Sequence, residues 1–282
     1  MRSFYLAALS SFLLLAFSGA VTAQINVAVE DGSPDGSGAG IVAQLNDDTL
    51  ADFSAALVTA DAIDTAGELA AYDVVILGGS GSQDADWTVA MADALAAWAQ
   101  GGGGVILTGW GNFDMRSGEP QDETLAAIFP GDNINSVNDF VNSGETLTFV
   151  ASHPVVDGLS DFALPTGCCT EVNPLPLETG DTTLATAGGD PAVIVNASGG
   201  GRSVYLGPVY MGSESGYASQ FPALREGELD QLLEQAVLWA AQQPSAMPVP
   251  ALPHWALLGL GLIIVAVGAG ASRYRRGVAR PV

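Results

Sequence analysis

The chain has 282 residues, 48% of them hydrophobic and 35 of them glycine, and its formal net charge is −23 at pH 7. Every basic residue is an arginine, and only Arg116, Arg202 and Arg225 lie in residues 24–243, which hold all 31 acidic residues and so have a net charge of −28. Nucleic-acid binding needs cations that neutralise phosphates, so this charge excludes nucleic acid as a partner.

The N-terminus has the pattern of a secretory signal peptide. Arg2 precedes an apolar run over residues 4–17, and small residues lead to Ala23. A positive start, an apolar stretch and small residues before the cleavage point are typical of such signals. We therefore expect residues 1–23 to be a signal peptide that is cleaved after Ala23.

Residues 24–243 are enough for one large α/β domain. The first half alternates short apolar runs with segments of helical periodicity. The pattern predicts strands at 25–29, 55–58, 74–77 and 105–107, and helices at 40–45 and 87–100. Strands that alternate with helices favour a doubly wound, mostly parallel, flavodoxin-like sheet.

The second half is less regular. Strands are predicted at 147–150, 183–186, 192–195 and 203–206, separated by glycine-rich turns, and a closing amphipathic helix is predicted at 228–242. The spacing of these strands suits antiparallel additions to the sheet.

Five segments of this region carry a resemblance to a known family: residues 72–79, 102–107, 153–159, 200–207 and 232–239. They resemble the class I glutamine amidotransferase-like superfamily, particularly its ThuA-like branch. The resemblance implies an amidotransferase-like fold, and a fold does not by itself imply an activity.

Amidotransfer needs a cysteine on a sharp strand-to-helix turn, a histidine base and backbone N–H donors for the oxyanion. The loop 78–81 resembles the family's oxyanion loop, and the register of the resemblance places Gly109 at the position of the cysteine. The expected late histidine is missing near Gly207 and Pro208. The resemblance therefore implies a domain without amidotransferase catalysis.

Residues at the ends of the strands suggest two other roles, an alternative catalytic pair and a ligand crevice. Ser80 and His153 form an alternative catalytic pair, although Ser82 replaces the second glycine of the G-x-S-x-G pattern. His153, which precedes a proline, is also readily interpreted as a structural corner. Open α/β sheets bind ligands at the carboxyl ends of their strands, so we expect a ligand crevice formed by Asp31, Gly79, Ser80 and Gly109.

Cys168 and Cys169 are adjacent and are the two cysteines of the chain. In an oxidising exported compartment we expect them to form a disulfide with each other, with two free thiols as the alternative.

We expect no cofactor and no metal site. A weaker alternative is calcium held by acidic residues in the loops, although aspartates in glycine-rich turns also serve turn formation: Asp31, Asp35, Asp84 and Asp86.

The C-terminus follows the pattern of an envelope sorting signal. A linker and motif at 244–254 lead to an uncharged stretch at 255–272, about 27 Å long as a helix, and then to a basic tail at 273–282. Arg273, Arg275 and Arg276 fit a stop-transfer cluster that stays cytoplasmic. Together with the span and basic tail, the V-P-x-L-x-x-W motif resembles IPTL-CTERM signals, relatives of PEP-CTERM: Val249, Pro250, Leu252 and Trp255.

That resemblance implies an exosortase-type protease as partner, and the alternative is an unprocessed membrane anchor. We therefore expect an exported precursor, anchored by a transmembrane helix and sorted to the envelope, surface or matrix of a Gram-negative bacterium. The domain would bind a partner or an envelope polysaccharide without catalysis. The alternative function is that of an exported hydrolase or sugar-modifying enzyme that uses Ser80 and His153.

Overall fold

The central feature of the computed structural model is a nine-stranded sheet with the strand order β2-β1-β3-β4-β11-β10-β9-β6-β7. Two further strands, β5 and β8, form a separate antiparallel pair. The described strands in chain order are β1 (Ile25–Asp31), β2 (Phe53–Val58), β3 (Val74–Gly78), β4 (Gly104–Thr108), β5 (Asp139–Val141), β6 (Thr146–Phe149), β7 (Phe162–Ala163), β8 (Thr170–Val172), β9 (Thr182–Ala187), β10 (Asp190–Asn196) and β11 (Arg202–Leu206).

Helices cover both faces of the sheet. They are α1 (Ser37–Leu45), α2 (Ala66–Leu69), α3 (Val89–Gln100), α4 (Gly111–Asp114), α5 (Pro120–Ala126) and α6 (Gly227–Ala241), with 3₁₀ turns at Ala60–Ala62 and Pro154–Val156.

The structure describes residues 24–31, 37–47, 50–78, 87–115, 118–131, 139–141, 145–164, 170–174, 177–197, 200–208, 210 and 227–241. Within these ranges no helix is both long and apolar enough to cross a membrane. The predicted signal peptide, the pair Cys168–Cys169, the sorting motif, the span 255–272 and the arginine cluster all lie outside the described residues.

The predicted α/β fold is confirmed, but the sheet is mixed rather than mostly parallel, because half of its strand pairs are antiparallel. The pairs β1–β2, β1–β3, β3–β4 and β4–β11 are parallel, whereas β10–β11, β9–β10, β6–β9 and β6–β7 are antiparallel. One strand differs from the expectation. β11 was expected among the antiparallel additions, but it also lies parallel to β4, so it joins the two parts of the sheet.

The two faces of the sheet explain the unbroken apolar runs in the sequence. Val74, Ile76 and Ile106 contribute to a core that includes residues of α1 and α6, while their neighbours Val75 and Leu77 contribute to a second core with residues of α3. All five residues of β3 are buried, and so are all five of β4. A strand covered on both faces needs apolar residues at every position, which is typical of parallel sheets.

Helix α3 begins two residues later than predicted. The hydroxyl of Thr88 accepts a hydrogen bond from the backbone N–H of Met91, 3.2 Å away, so Thr88 is the cap and Val89 is the first helical residue. A threonine hydroxyl at this position satisfies one of the free N–H groups of the first turn. Trp87 therefore lies before the helix, where its ring is buried.

The outer edge of β2 is covered by one side chain. The Asn46 amide donates to the Ala55 carbonyl oxygen at 3.1 Å, and the N–H of Ala55 donates to Asn46 Oδ1 at 2.9 Å. Asn46 thus makes with Ala55 the two hydrogen bonds that a neighbouring strand would otherwise make.

A buried polar contact joins α1 to α6. Gln44 Nε2 donates to Asp230 Oδ1 at 2.9 Å, and both side chains are buried. Burial raises the pKa of Asp230 above its ordinary value of 3.8; the hydrogen bond from Gln44 opposes the rise, and the charge of Asp47 adds to it.

The raised pKa predicts that Asp230→Asn gains stability relative to the wild type as the pH rises. The folded wild type binds this proton more tightly than the unfolded chain, so the contribution of Asp230 is greatest below pH 3.8 and is lost as the pH rises through the raised pKa. Asparagine keeps an acceptor for Gln44 and carries no charge. Melting temperatures between pH 4 and pH 7 should diverge in favour of the variant, while Asp93→Asn, at an exposed position of α3, should follow the wild type. A constant offset between Asp230→Asn and the wild type over this range would contradict the prediction.

Candidate functional site

The parallel strands end at one edge of the sheet, here called the carboxyl edge; the opposite edge is the amino edge. At the carboxyl edge β4 ends at Thr108, and α4 begins at Gly111 after a sharp turn. Trp110, between them, has φ 75° and ψ −13°, and among the described non-glycine residues it is the one with positive φ. A strained residue between a strand and a helix is the geometry that presents the nucleophile in many hydrolases.

The structure places this strained position one residue later than the sequence predicted. The register of the resemblance assigned the nucleophile position to Gly109, whereas the left-handed conformation belongs to Trp110. The next residue is Gly111, where the turn packs closely against β4. A Cβ atom at this position would lie 2.3 Å from Leu107 Cδ1. An indole ring carries no nucleophile, so the turn keeps its shape without the residue type that catalysis needs.

A buried carboxylate lies against the start of α4. Glu171 of β8 is 0% exposed. Its Oε1 accepts from the N–H of Phe113 at 2.9 Å, and its Oε2 accepts from the N–H of Asn112 at 3.2 Å and from the Tyr205 hydroxyl at 3.0 Å. Helix N-termini leave N–H groups unsatisfied, and a carboxylate is a strong acceptor for them.

Tyr205 stays protonated in this arrangement. Burial raises the pKa of the Tyr205 phenol well above 10, and the charge and hydrogen bond of Glu171 raise it further, while the Asn112 side chain opposes the rise. The hydroxyl therefore acts as a donor to Glu171 and is unsuited to the role of a general base near neutral pH.

A second buried carboxylate lies near the end of β1. Glu30 is 1% exposed, and its Oε2 accepts from Trp87 Nε1 at 2.8 Å. This bond ties β1 to the residue that precedes α3. Glu30 and Glu171, two buried glutamates at this edge, therefore both accept hydrogen bonds from other groups of the protein.

The predicted crevice residues are partly visible. Asp31 ends β1 opposite Gly78 of β3, and Gly109 follows β4, where its N–H donates to the Pro208 carbonyl oxygen at 3.3 Å. The backbone of Asp31 and that of Gly109 are thus at the carboxyl edge, and the ligand crevice itself stays a prediction. Gly79 and Ser80 lie outside the described residues.

His153 is at the opposite edge. β6 is antiparallel to β9, β9 to β10, and β10 to β11, so β6 runs against β4 and leads to His153 at the amino edge. Ser80 follows β3, which ends at the carboxyl edge. The edges of such a sheet are about 15 Å apart, since each strand residue advances the chain by about 3.3 Å. Ser80 lies outside the described residues, so the Ser80–His153 catalytic pair stays a prediction.

The contacts of His153 are those of a corner. Its Nδ1 accepts from the N–H of Val155 at 3.3 Å, and its ring meets Trp239 edge-on with the ring centroids 5.0 Å apart. Partial burial lowers the pKa of His153, and the charge of Arg202 lowers it further. Arg202 itself lies over Trp239 and donates to its carbonyl oxygen at 2.7 Å.

Solved structures share this architecture. A cytoplasmic protein from Salmonella typhimurium LT2 has a TM-score of 0.57 at 15% identity, covering 77% of this chain and 99% of its own. ThuA-like proteins from Bacteroides uniformis and Parabacteroides merdae have TM-scores of 0.54 and 0.52 at 16% identity; they cover 79% and 78% of this chain and 93% and 91% of their own. The described domain is similar in fold to ThuA-like proteins. No protein-family model matches the sequence, and no curated protein matches it, so the ThuA-like fold alone assigns no activity.

Three residues of the site at the carboxyl edge were not predicted: Trp110 as the strained residue, Glu171 and Tyr205. Glu171 is one of 31 acidic residues, and nothing in its local sequence distinguishes it from the others. Tyr205 is the one of the three that the sequence could have indicated. It places a hydroxyl within an apolar strand, and a buried hydroxyl needs a hydrogen-bond partner.

Metal binding stays a prediction on the acidic loops. In the part of the chain that the structure describes, no group of three His, Cys, Asp or Glu residues could hold a metal ion. The side chain of Asp31 and the whole of Asp35, Asp84 and Asp86 lie outside it.

Proposed function

We propose that this is an exported cell-envelope protein whose ThuA-like domain binds a partner or a carbohydrate at the carboxyl edge and is not a catalyst. The observation that carries the proposal is Trp110, which occupies the strained turn where a nucleophile would be needed. Its indole is chemically inert toward acyl groups, and the half-buried ring packs edge-on against Phe113, with the ring centroids 5.3 Å apart.

The surroundings of Trp110 support the same conclusion. The N–H groups of Asn112 and Phe113 already donate to Glu171. A reaction that develops an oxyanion here would bring a second negative charge beside a buried carboxylate, and like charges repel strongly where water is excluded. The arrangement is stable as a protein scaffold and poorly suited to acyl transfer.

The export part of the proposal rests on both ends of the sequence. Residues 1–23 have the pattern of a signal peptide, and Val249, Pro250, Leu252 and Trp255 precede an uncharged span and the arginines 273, 275 and 276. An exosortase-type protease is the processing partner that this C-terminal pattern implies.

A serine-reactive fluorophosphonate probe tests the absence of catalysis. We expect no covalent labelling of the purified full-length chain above that of its heat-denatured form. Ser80→Ala should behave like the wild type. Labelling of the native chain that is lost in Ser80→Ala would overturn the non-catalytic proposal in favour of a hydrolase.

Mass spectrometry of the protein from its native envelope tests export and sorting. The mature chain is expected to begin at Gln24 and to lack the segment that follows the sorting motif. Val249→Ala combined with Trp255→Ala should retain the C-terminal segment, while the N-terminus should be unchanged. A wild-type protein that still ends at Val282 would contradict processing and leave a plain anchor.

A further inference from the structure

A polar cleft of about 500 Å³ opens at the amino edge, on the face of the sheet that carries α3. We call it the amino-edge cleft. It lies between the end of α3, the residues that follow α5, and the turn before β9. Its volume falls in the range of small-molecule sites, which are about 300–1,000 Å³. The site described above lies at the other edge of the sheet and shares no residue with this cleft.

The charges that border the cleft are negative. Glu178 and Asp181 both line it, in the turn before β9. Arg202 also lines it, but its guanidinium lies over the Trp239 ring, 5.1 Å from the centroid, and donates to the Trp239 carbonyl oxygen at 2.7 Å. Trp239 belongs to α6 and to the core on the opposite face of the sheet. The positive charge of Arg202 is therefore directed away from the cleft.

Neutral groups hold Asp181 in one orientation. Its Oδ2 accepts from the N–H of Gly131 and its Oδ1 from Asn196 Nδ2, each at 2.7 Å. Neither donor carries a charge, so these bonds orient the carboxylate and leave its negative charge in place. Each carboxylate oxygen has a second lone pair that can accept another hydrogen bond. A cationic donor would form a charge-assisted hydrogen bond here, and the side chain that accepts it is already ordered.

A more buried hydroxyl also lines the cleft. Ser203 of β11 is 8% exposed, and none of the hydrogen bonds between described residues involves its Oγ. Its side chain is on the same face of the sheet as that of Tyr205, at the alternate position of the strand, which packs in the core with α3. Buried polar groups nearly always have a hydrogen-bond partner. The Ser203 hydroxyl thus marks a position where a ligand can supply the missing partner.

The apolar part of the lining is small. Val105 and Phe129 are 1% and 4% exposed, so the accessible apolar surface comes from half-buried Ile128 and exposed Ala127. This surface suits a few methylene groups. A metal ion has too few ligands here, because in the described part of the chain no group of three His, Cys, Asp or Glu residues could hold one. The lining therefore favours an organic cation over an inorganic one.

We propose that the amino-edge cleft binds a small organic cation, an aliphatic amine whose ammonium group meets the Asp181 carboxylate. The net charge of −28 over residues 24–243 attracts cations to the domain and repels anions. The fixed carboxylate and the Ser203 hydroxyl then give the cleft its selectivity for N–H donors. The inference goes beyond the binding role proposed above and does not rest on it, because the two sites lie at opposite edges of the sheet.

Isothermal titration calorimetry tests the site on the purified full-length chain in a nonionic detergent. The buffer contains about 0.15 M NaCl, which screens general attraction to the acidic surface. The probes are the diamine putrescine and the triamine spermidine. Butanediol replaces the ammonium groups of putrescine by hydroxyls, and Ca²⁺ has the charge of putrescine without its N–H donors. We expect saturable binding of one amine per chain and no binding of butanediol.

Asp181→Asn should weaken amine binding about tenfold, equal to about 1.4 kcal/mol, because it removes the charge that the ammonium group meets. The control is Asp161→Asn, which removes the same charge elsewhere. The Asp161 carboxylate also accepts a backbone N–H, from Phe149 at 2.9 Å, and it does not line the cleft. The amine affinity of this control should equal that of the wild type.

Ser203→Ala gives a second test that leaves every charge intact. It should weaken amine binding about fivefold, equal to about 1 kcal/mol, because one neutral hydrogen bond to the ligand is lost. The variant should fold like the wild type, since alanine leaves no buried polar group without a partner. Ser54→Ala is its control: Ser54 is an exposed residue of β2 and does not line the cleft.

Four results would overturn the proposal. The first is the absence of saturable binding by either amine. The second is the same affinity in Asp181→Asn and Asp161→Asn, which would reveal general attraction to an acidic surface. The third is wild-type affinity in Ser203→Ala, which would place the amine outside the cleft. The fourth is displacement of the amine by Ca²⁺ at equal concentration, which would identify a metal site.

Discussion

Gly207→Ala is expected to lower the free energy of unfolding by about 3 kcal/mol or more. A Cβ atom at this position would lie 2.1 Å from the Glu171 carbonyl oxygen and 2.8 Å from that of Ala192. Both obstacles are backbone atoms of neighbouring strands, so no side-chain rotation can relieve the overlap.

The same residue links three strands, which increases the expected effect. The N–H of Gly207 donates to the Ala192 carbonyl oxygen at 2.7 Å, and the N–H of Glu171 donates to the Gly207 carbonyl oxygen at 2.9 Å. Moving the backbone away from the new methyl group would stretch both hydrogen bonds and shift Glu171 from α4.

Chemical denaturation of the full-length chain measures the change. Gly67→Ala is the matched control: its Cβ would meet its nearest neighbour, Thr65 Oγ1, at 4.0 Å, and alanine in a helix is favoured over glycine by about 0.5–1 kcal/mol. The control should be as stable as the wild type or slightly more so. A loss below about 1 kcal/mol in Gly207→Ala would show that the β8 and β10 backbones yield more easily than this packing implies.

Glu171→Ala is expected to destabilise the fold by at least about 3 kcal/mol, because each buried donor left without an acceptor costs about 1–3 kcal/mol. Three donors lose their acceptor at once: the N–H groups of Asn112 and Phe113, and the Tyr205 hydroxyl. The side chain is fully buried, so water reaches these groups only if the surrounding structure opens.

A graded series separates hydrogen bonding from volume. Glu171→Gln keeps the size of the side chain and one acceptor oxygen, so its loss should be smaller than that of Glu171→Ala. Tyr205→Phe removes one donor and leaves the carboxylate with two, so its loss should be about 1 kcal/mol. Glu145→Ala, at an exposed position, should lie within about 0.5 kcal/mol of the wild type. Equal losses in Glu171→Gln and Glu171→Ala would contradict the hydrogen-bond account.

The parallel part of the fold was predictable because burial on both faces leaves a strong pattern. The runs at 74–77 and 105–107 contain only apolar residues and end at glycine or threonine, and both are central strands in the structure. The small strands β5 and β8 were not predicted. They have three residues each, too few for a periodicity to be seen.

The site was predicted less well than the fold, because its residues come together through topology. Glu171 meets Asn112 across 59 positions of sequence, and no local pattern connects them. His153 shows the reverse problem. As one of two histidines in the chain it attracted a catalytic hypothesis, yet the direction of β6 takes it to the edge opposite the strained turn.

The amide of Asn46 bears on how this protein behaves when many copies are crowded together. A bare outermost strand offers its N–H and C=O groups to any passing chain, and such pairing is a common start of aggregation. At Ala55 those groups are already engaged within the molecule. Mutual repulsion between strongly acidic copies acts in the same direction. Crowded copies of this protein are therefore kept apart both by their charge and by one short side chain that closes part of the open edge of the sheet.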